Sequence, residues 1–180
     1  MPSSVPGMNA DQLKHLIREV PDFPKKGILF YDITTLLKDK TGFATLIDKF
    51  SEHYISQDVD LVLGMEARGF IFAPALAYRL NAGFVPVRKP GKLPAETVKY
   101  DYALEYGTDA MEMHADALTG ARSVLVIDDV LATGGTAAAT CRLVERAGAR
   151  VAACLFLLEI STLNGRAALG RRRVESLVVY

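Results

Sequence analysis

The 180-residue chain has two cysteines, Cys141 and Cys154, too few and too far apart for a disulfide framework or a thiolate metal site. Both sit in apolar patterns, where cysteine behaves as a small hydrophobe, so both are expected in the core. An excess of either charge is also missing, because 21 Lys and Arg balance 21 Asp and Glu. Sequence-independent nucleic-acid binding needs a positive field to displace counterions from phosphates, so no nucleic-acid partner is expected. The longest apolar run, Val151 to Leu158, falls far short of a membrane crossing. The opening MPSSVPGMNA lacks the basic start and apolar stretch of a secretory signal. No membrane partner and a cytoplasmic location are the resulting expectations. His15, His53 and His114 form no ligand motif, so no dedicated metal site is expected. Half of the residues are hydrophobic, which suits one folded domain over 1–180.

Periodicity supplies the architecture. In DQLKHLIREV, helical spacing of Leu13, Leu16, Ile17 and Val20 predicts a short helix capped by Asn9 or Asp11. PDFPKKG is extended coil, ILFYDI a strand or strand-like edge, and Thr41 is the expected cap of a second helix carrying Phe43, Leu46, Ile47, Phe50 and Tyr54. From residue 59 the pattern becomes regular. Strands are predicted at 59–64, 83–88, 122–128 and in VAACLFLLEI, with helices in RGFIFAPALAYRL and in GTAAATCRLVERAG, the latter closed by Gly148. Strands apolar on both faces and alternating with helices imply an α/β fold, a parallel twisted sheet flanked by helices. Residues 89–113 break the rhythm. Their prolines, glycines and the alternation of Thr97, Val98, Tyr100, Tyr102 and Leu104 predict a β-hairpin flap.

The stretch VLVIDDVLATGGT, 124–136, orders an apolar strand, two acids, a glycine pair between threonines and then a helix. Ligands of open parallel sheets bind at the carboxyl ends of strands, where Asp128 and Asp129 fall. A helix N-terminus offers unpaired N–H groups and a positive dipole end, so the loop Ala132, Thr133, Gly134, Gly135 and Thr136 reads as a phosphate cradle. The acids must then face proton donors or positive charge, such as a ribose diol or a metal. Successive strand residues point to opposite sides, so at most one of the pair is expected to face a given group unless the strand has already turned into the loop. The triphosphate signature G-x-x-x-x-G-K-S/T and the dinucleotide signature G-x-G-x-x-G after a strand are both absent. A second strand end carries GMEARGF, where Arg68 sits at a helix start that disfavours a cation unless an anion is bound. A third, VRKPGKLP, gathers Arg88, Lys89 and Lys92. Three strand ends with anion-binding groups suggest one phosphate at the cradle and a diphosphate at the basic groups. The run GRRRV, 170–174, shows no such convergence and is read as surface.

These residues carry a family resemblance. VLVIDDVLATGGT resembles the diphosphate-sugar binding motif of the type I phosphoribosyltransferases, and PDFPKKGILFYDIT, GMEARGFIF, PVRKPGKLP and YALEYGTD are similar to motifs of its adenine-using members, over nearly the whole chain. The resemblance implies transfer of a phosphoribosyl group from 5-phosphoribosyl 1-diphosphate to adenine, with magnesium, in a homodimer. It further implies an N-terminal hood over 1–35 in which Leu29, Phe30 and Tyr31 bind adenine, Phe30 by stacking and its neighbours through the backbone. Asp128 and Asp129 would hold the ribose hydroxyls, residues 132–136 the 5′-phosphate, and Glu66, Ala67, Arg68, Arg88, Lys89 and Lys92 the diphosphate. Catalytic roles fall to Arg68 and to Glu105 and Tyr106 on the flap, Glu105 taking the proton that adenine loses. Magnesium would be carried mainly by substrate phosphates. Tyr31 departs from the family, which commonly has Arg there. Two alternatives stand beside this reading: the same chemistry on hypoxanthine, guanine or xanthine, and a non-catalytic regulator that senses the activated sugar.

Overall fold

Apolar, β-branched runs form the centre of a five-stranded parallel sheet. The computed structural model describes residues 7–103 and 107–180. These strands are β3 (Leu61–Met65), β4 (Gly83–Val87), β7 (Ser123–Leu131), β8 (Arg150–Glu159) and β9 (Val174–Val179). Val124, Val126, Cys154 and Phe156 are fully or almost fully buried, as a sheet with both faces covered requires. Two helices flank it. Helix α4 (Gly69–Leu80) packs on β3, β4 and β7, and α5 (Gly135–Arg146) packs on β7 and β8. From β3 the chain steps to β4 on one side, whereas β7 leads to β8 and β9 on the other. The order, β4-β3-β7-β8-β9, therefore reverses between β3 and β7, and the carboxyl ends of strands at such a reversal are where sheets of this kind bind ligands.

The chain divides into two compact units, Met1–Lys49 and Phe50–Tyr180, and the sheet lies in the second. The second unit also holds an antiparallel hairpin of β5 (Thr97–Ala103) and β6 (Thr108–His114), with α6 (Gly165–Leu169) between β8 and β9. The hairpin rests on α5, where Arg146 lies 4.6 Å from the centre of the Tyr100 ring. In the first unit, α1 (Ala10–His15) precedes an antiparallel pair, β1 (Arg18–Pro21) and β2 (Leu29–Asp32), followed by α2 (Thr34–Leu37) and most of α3 (Lys40–Glu52).

Four sequence expectations are corrected. The first helix ends at His15, because Arg18 to Pro21 pair with β2 instead of continuing the turn, although Leu13 and Ile17 are buried as expected. Asn9 caps it through a reciprocal bond with Gln12. Asp39, not Thr41, caps α3, its carboxylate accepting from the N–H groups of Thr41 and Gly42 at 3.0 and 2.8 Å. Strand β7 runs on to Leu131, so Asp128 and Asp129 lie inside it. Finally, Arg172 is not simple surface: its guanidinium forks onto Glu145 of α5 with two bonds of 2.8 Å and ties α6 to that helix through the Leu169 carbonyl. Cys141 and Cys154 are free and buried, their sulfurs 3.4 Å apart.

Candidate active site

Strand alternation separates the two acids. Asp129 is 3% exposed and its Oδ2 lies 2.7 Å from Arg68 Nε. Arg68 caps the start of α4, where the helix dipole repels a cation, and the ion pair with Asp129 offsets that cost. Asp128 faces an open cavity and its Oδ1 accepts from the Asp129 N–H at 2.9 Å. Burial pushes the Asp128 carboxyl well above the usual carboxylate range, and the neighbouring Asp129 charge adds to the shift. Burial also raises Asp129, with Arg68 opposing it. One negative charge is thereby balanced by Arg68, and the second carboxyl favours its proton. Such a pair accepts hydroxyl donors or exchanges its proton for a cation.

The cavity has a volume of about 90 Å³ and is walled by Asp128, Phe156 and the run Leu131 to Ala137. Gly134 has φ +81°, the left-handed conformation that lets the loop turn directly into α5. A β-carbon there would drive into the Gly165 carbonyl, so glycine is needed for space as well as for backbone angle. The first N–H groups of α5 have no acceptor within the helix and open toward this loop.

A second group of side chains gathers around Glu66, at the end of β3. Arg88 bonds its carboxylate twice at 3.2 Å, Lys92 Nζ at 2.7 Å and the Lys89 N–H at 3.3 Å. The Arg88 guanidinium, supported by Lys92, holds the Glu66 carboxyl down to about 2. The Glu66–Ala67 peptide is cis. Paired backbone bonds between Arg88 and Glu112 fasten the basic loop to the hairpin. Lys89 Nζ meets the Asp109 carboxylate and lies 3.2 Å from the Tyr102 hydroxyl. That hydroxyl is 3.1 Å from Thr136 Oγ1, so the hairpin touches the cradle.

The structure thus brings Glu66, Arg88, Lys89 and Lys92 together, pairs Arg68 with Asp129, and puts Asp128 with residues 132–136 on one cavity. Glu105 and Tyr106 lie outside the described residues. Leu29, Phe30 and Tyr31 form β2 in the first unit, with the Phe30 ring edge-on to Phe23 at 5.1 Å. Burial, with help from Glu19, raises the Tyr31 phenol. Sequence reading missed Tyr102 and Asp109. The alternation of Tyr100 and Tyr102 hinted at one hairpin face, but no local signal pairs Asp109 with Lys89 across 20 residues. Among the described residues no group of three or more His, Cys, Asp and Glu gathers as a metal cage, and no helix is long and apolar enough to cross a membrane.

The class follows from fold and site together: the phosphoribosyl transferase domain family matches residues 33–169, which contain the acid pair, the cradle and the basic loop. The adenine phosphoribosyltransferase of Acidobacterium capsulatum is 59% identical over 173 residues, covering 96% of each chain. The crystal structure of the adenine phosphoribosyltransferase from Thermoanaerobacter pseudethanolicus superposes with a TM-score of 0.90 at 50% identity, covering 96% of this chain and 100% of that one. The enzyme from Saccharomyces cerevisiae, solved with adenine and an imino-altritol bisphosphate, gives 0.87 at 41% identity, covering 93% and 97%. The chain belongs to the adenine phosphoribosyltransferase family.

Proposed function

We infer that the chain transfers the 5-phosphoribosyl group of 5-phosphoribosyl 1-diphosphate to adenine, giving AMP and diphosphate, a purine-salvage reaction. The observation that carries this reading is the cavity between Asp128 and the Thr-Gly-Gly-Thr loop at the carboxyl end of β7. Residues 132–136 hold the 5′-phosphate by N–H groups and hydroxyls, and Asp128 and Asp129 accept from the ribose hydroxyls. Residues 1–35 serve as a hood in which Phe30 stacks on adenine while the backbone of Leu29 and Tyr31 reads its edge. Adenine's amino group donates and its N1 accepts, the complement of a peptide's C=O and N–H.

As N9 of adenine attacks C1, the C1–O bond to diphosphate breaks. Positive charge grows on the ribose and negative charge on the leaving group. Arg68, Arg88, Lys89 and Lys92 stabilise the departing diphosphate, and Glu66 holds two of those cations in place until it arrives. Glu105 takes the N9 proton, and the flap with Tyr106 excludes water that would hydrolyse the activated sugar. Magnesium would be carried mainly on the substrate phosphates, and Asp128, whose carboxyl lines the cavity, could add a hard oxygen ligand. Magnesium, when bound, neutralises charge on the leaving diphosphate. The enzyme is a cytoplasmic homodimer in this reading, and sedimentation at twice 19.6 kDa tests the dimer.

The deciding experiment offers adenine, hypoxanthine, guanine, xanthine and orotate separately with 5-phosphoribosyl 1-diphosphate and magnesium. Nucleotide formation from adenine alone is expected. Turnover of another base would overturn the base assignment, and no turnover with any base would overturn the catalytic one.

A further inference from the structure

Four side chains form one hydrogen-bonded chain across the second unit. Lys89 Nζ contacts the Asp109 carboxylate and lies 3.2 Å from the Tyr102 hydroxyl, which is 3.0 Å from Asp109 Oδ2 and 3.1 Å from Thr136 Oγ1. Proton counting fixes its direction. Lys89 keeps the Asp109 carboxyl below its usual range, so Asp109 accepts only, and the single phenol proton of Tyr102 goes to it as the stronger acceptor. Lysine only donates. The Tyr102 oxygen therefore accepts from Thr136, whose one hydroxyl proton is committed to the hairpin. The seat is close: a β-carbon on Gly135 would lie 3.3 Å from the Tyr102 ring.

The two ends of this chain are a cradle hydroxyl and a basic-loop ammonium, groups that the proposed reaction needs at opposite ends of one substrate. We propose that Tyr102 and Asp109 are positioning residues that latch the two anion sites together, holding Thr136 and Lys89 until a sugar 5-phosphate claims one and a diphosphate the other. The inference rests on the functional reading above. Either anion draws its own group out of this chain and so removes part of the cost of releasing the other end. The two anions then bind with positive coupling, reciprocal by linkage.

Calorimetric titration at fixed magnesium tests this with ribose 5-phosphate and inorganic diphosphate, each alone and each with the other saturating. For the unaltered protein each anion is expected to bind about fivefold tighter beside the other, the equivalent of one ordinary hydrogen bond. Tyr102→Phe frees the Thr136 proton, so ribose 5-phosphate alone should bind about fivefold tighter than to the unaltered protein. Asp109→Asn frees Lys89 and should tighten diphosphate alone. In both variants the coupling should fall, while direct repulsion between the two anions is common to all three proteins. A thermal melt verifies folding, and if one variant unfolds the other carries the test. Coupling unchanged in a folded variant, or binding of both anions without coupling in the unaltered protein, overturns the latch and leaves the functional reading standing. Binding of neither anion to the unaltered protein overturns both.

Discussion

Asp128 and Asp129 are chemically identical neighbours, and the strand gives them different work. Asp129 neutralises Arg68, whereas Asp128 faces the cavity with a carboxyl that burial biases toward its proton. The folded-state pKa of Asp128 lies above the unfolded value, so the native state binds more protons as pH rises past the ordinary carboxyl range. Stability therefore falls there with increasing pH. Asp128→Asn keeps the shape and removes the titration. The variant should melt at a higher temperature than the unaltered protein near neutral pH, and the gap should shrink in acid. Its turnover should drop by about 100-fold, the scale of losing one preorganised polar contact at a reacting centre. Steady-state kinetics and melting curves at pH 5 and 8 check both halves. A variant no more stable at pH 8 than at pH 5, relative to the unaltered protein, would contradict the assignment of a raised carboxyl.

At the scale of elements, the cradle is held from behind by the start of α6. A β-carbon on Gly165 would collide with the Ala132 carbonyl and lie 2.8 Å from Leu131 Cδ1. Gly165→Ala should therefore overpack the back of the loop, costing about 1–3 kcal/mol and lowering the melting temperature by roughly 2–4 °C per kcal/mol. It should also weaken ribose 5-phosphate binding, which titration of the variant measures. An unchanged affinity would mean that α6 does not shape the loop. A β-carbon on Gly134 would in turn meet the Gly165 carbonyl, so Gly134→Val should disturb packing as well as phosphate binding. Sequence made the cradle legible because its strand, acids, glycines and helix are contiguous and their spacing is local. The alternation of strands and helices from residue 59 was legible for the same reason. What stayed hidden depends on distant partners. Helical spacing through Val20 could not reveal that Arg18 to Pro21 pair with β2, nor could the mixed sequence 174–179 announce β9, which exists by adding to the edge of β8. The alignment of Glu66 with Arg88 and Lys92 spans more than 20 residues and has no local signature.

Across the whole molecule the formal charge is zero, yet the carboxylates are far from equivalent. Asp60 is lowered by the N–H groups of Ser123 and Arg122, tying the approach to β3 to the start of β7. Lys89 lowers Asp109 and Arg166 lowers Glu159, while Arg88 and Lys92 bring Glu66 furthest, to about 2. Each of these groups has a folded-state pKa below its unfolded value. Each therefore contributes stability that is fully present above the ordinary carboxyl range and is lost as pH falls through the folded value. Asp128 and Asp129 act in the opposite direction, so the stability curve should climb from acid and then flatten or decline. Glu66 gives the sharpest test, because its carboxylate is only 13% exposed and is held down from 4.5 to about 2. Glu66→Gln should be less stable than the unaltered protein at pH 7, where it leaves Arg88 and Lys92 without their shared partner. Between pH 4.5 and 2 the difference should close, since the unaltered side chain becomes a neutral acid over that window. Urea unfolding at half-unit pH steps measures the two curves. Convergence toward pH 2 supports Glu66 as an ionised anchor of the basic loop, whereas parallel curves would mean that its charge contributes nothing to holding those cations.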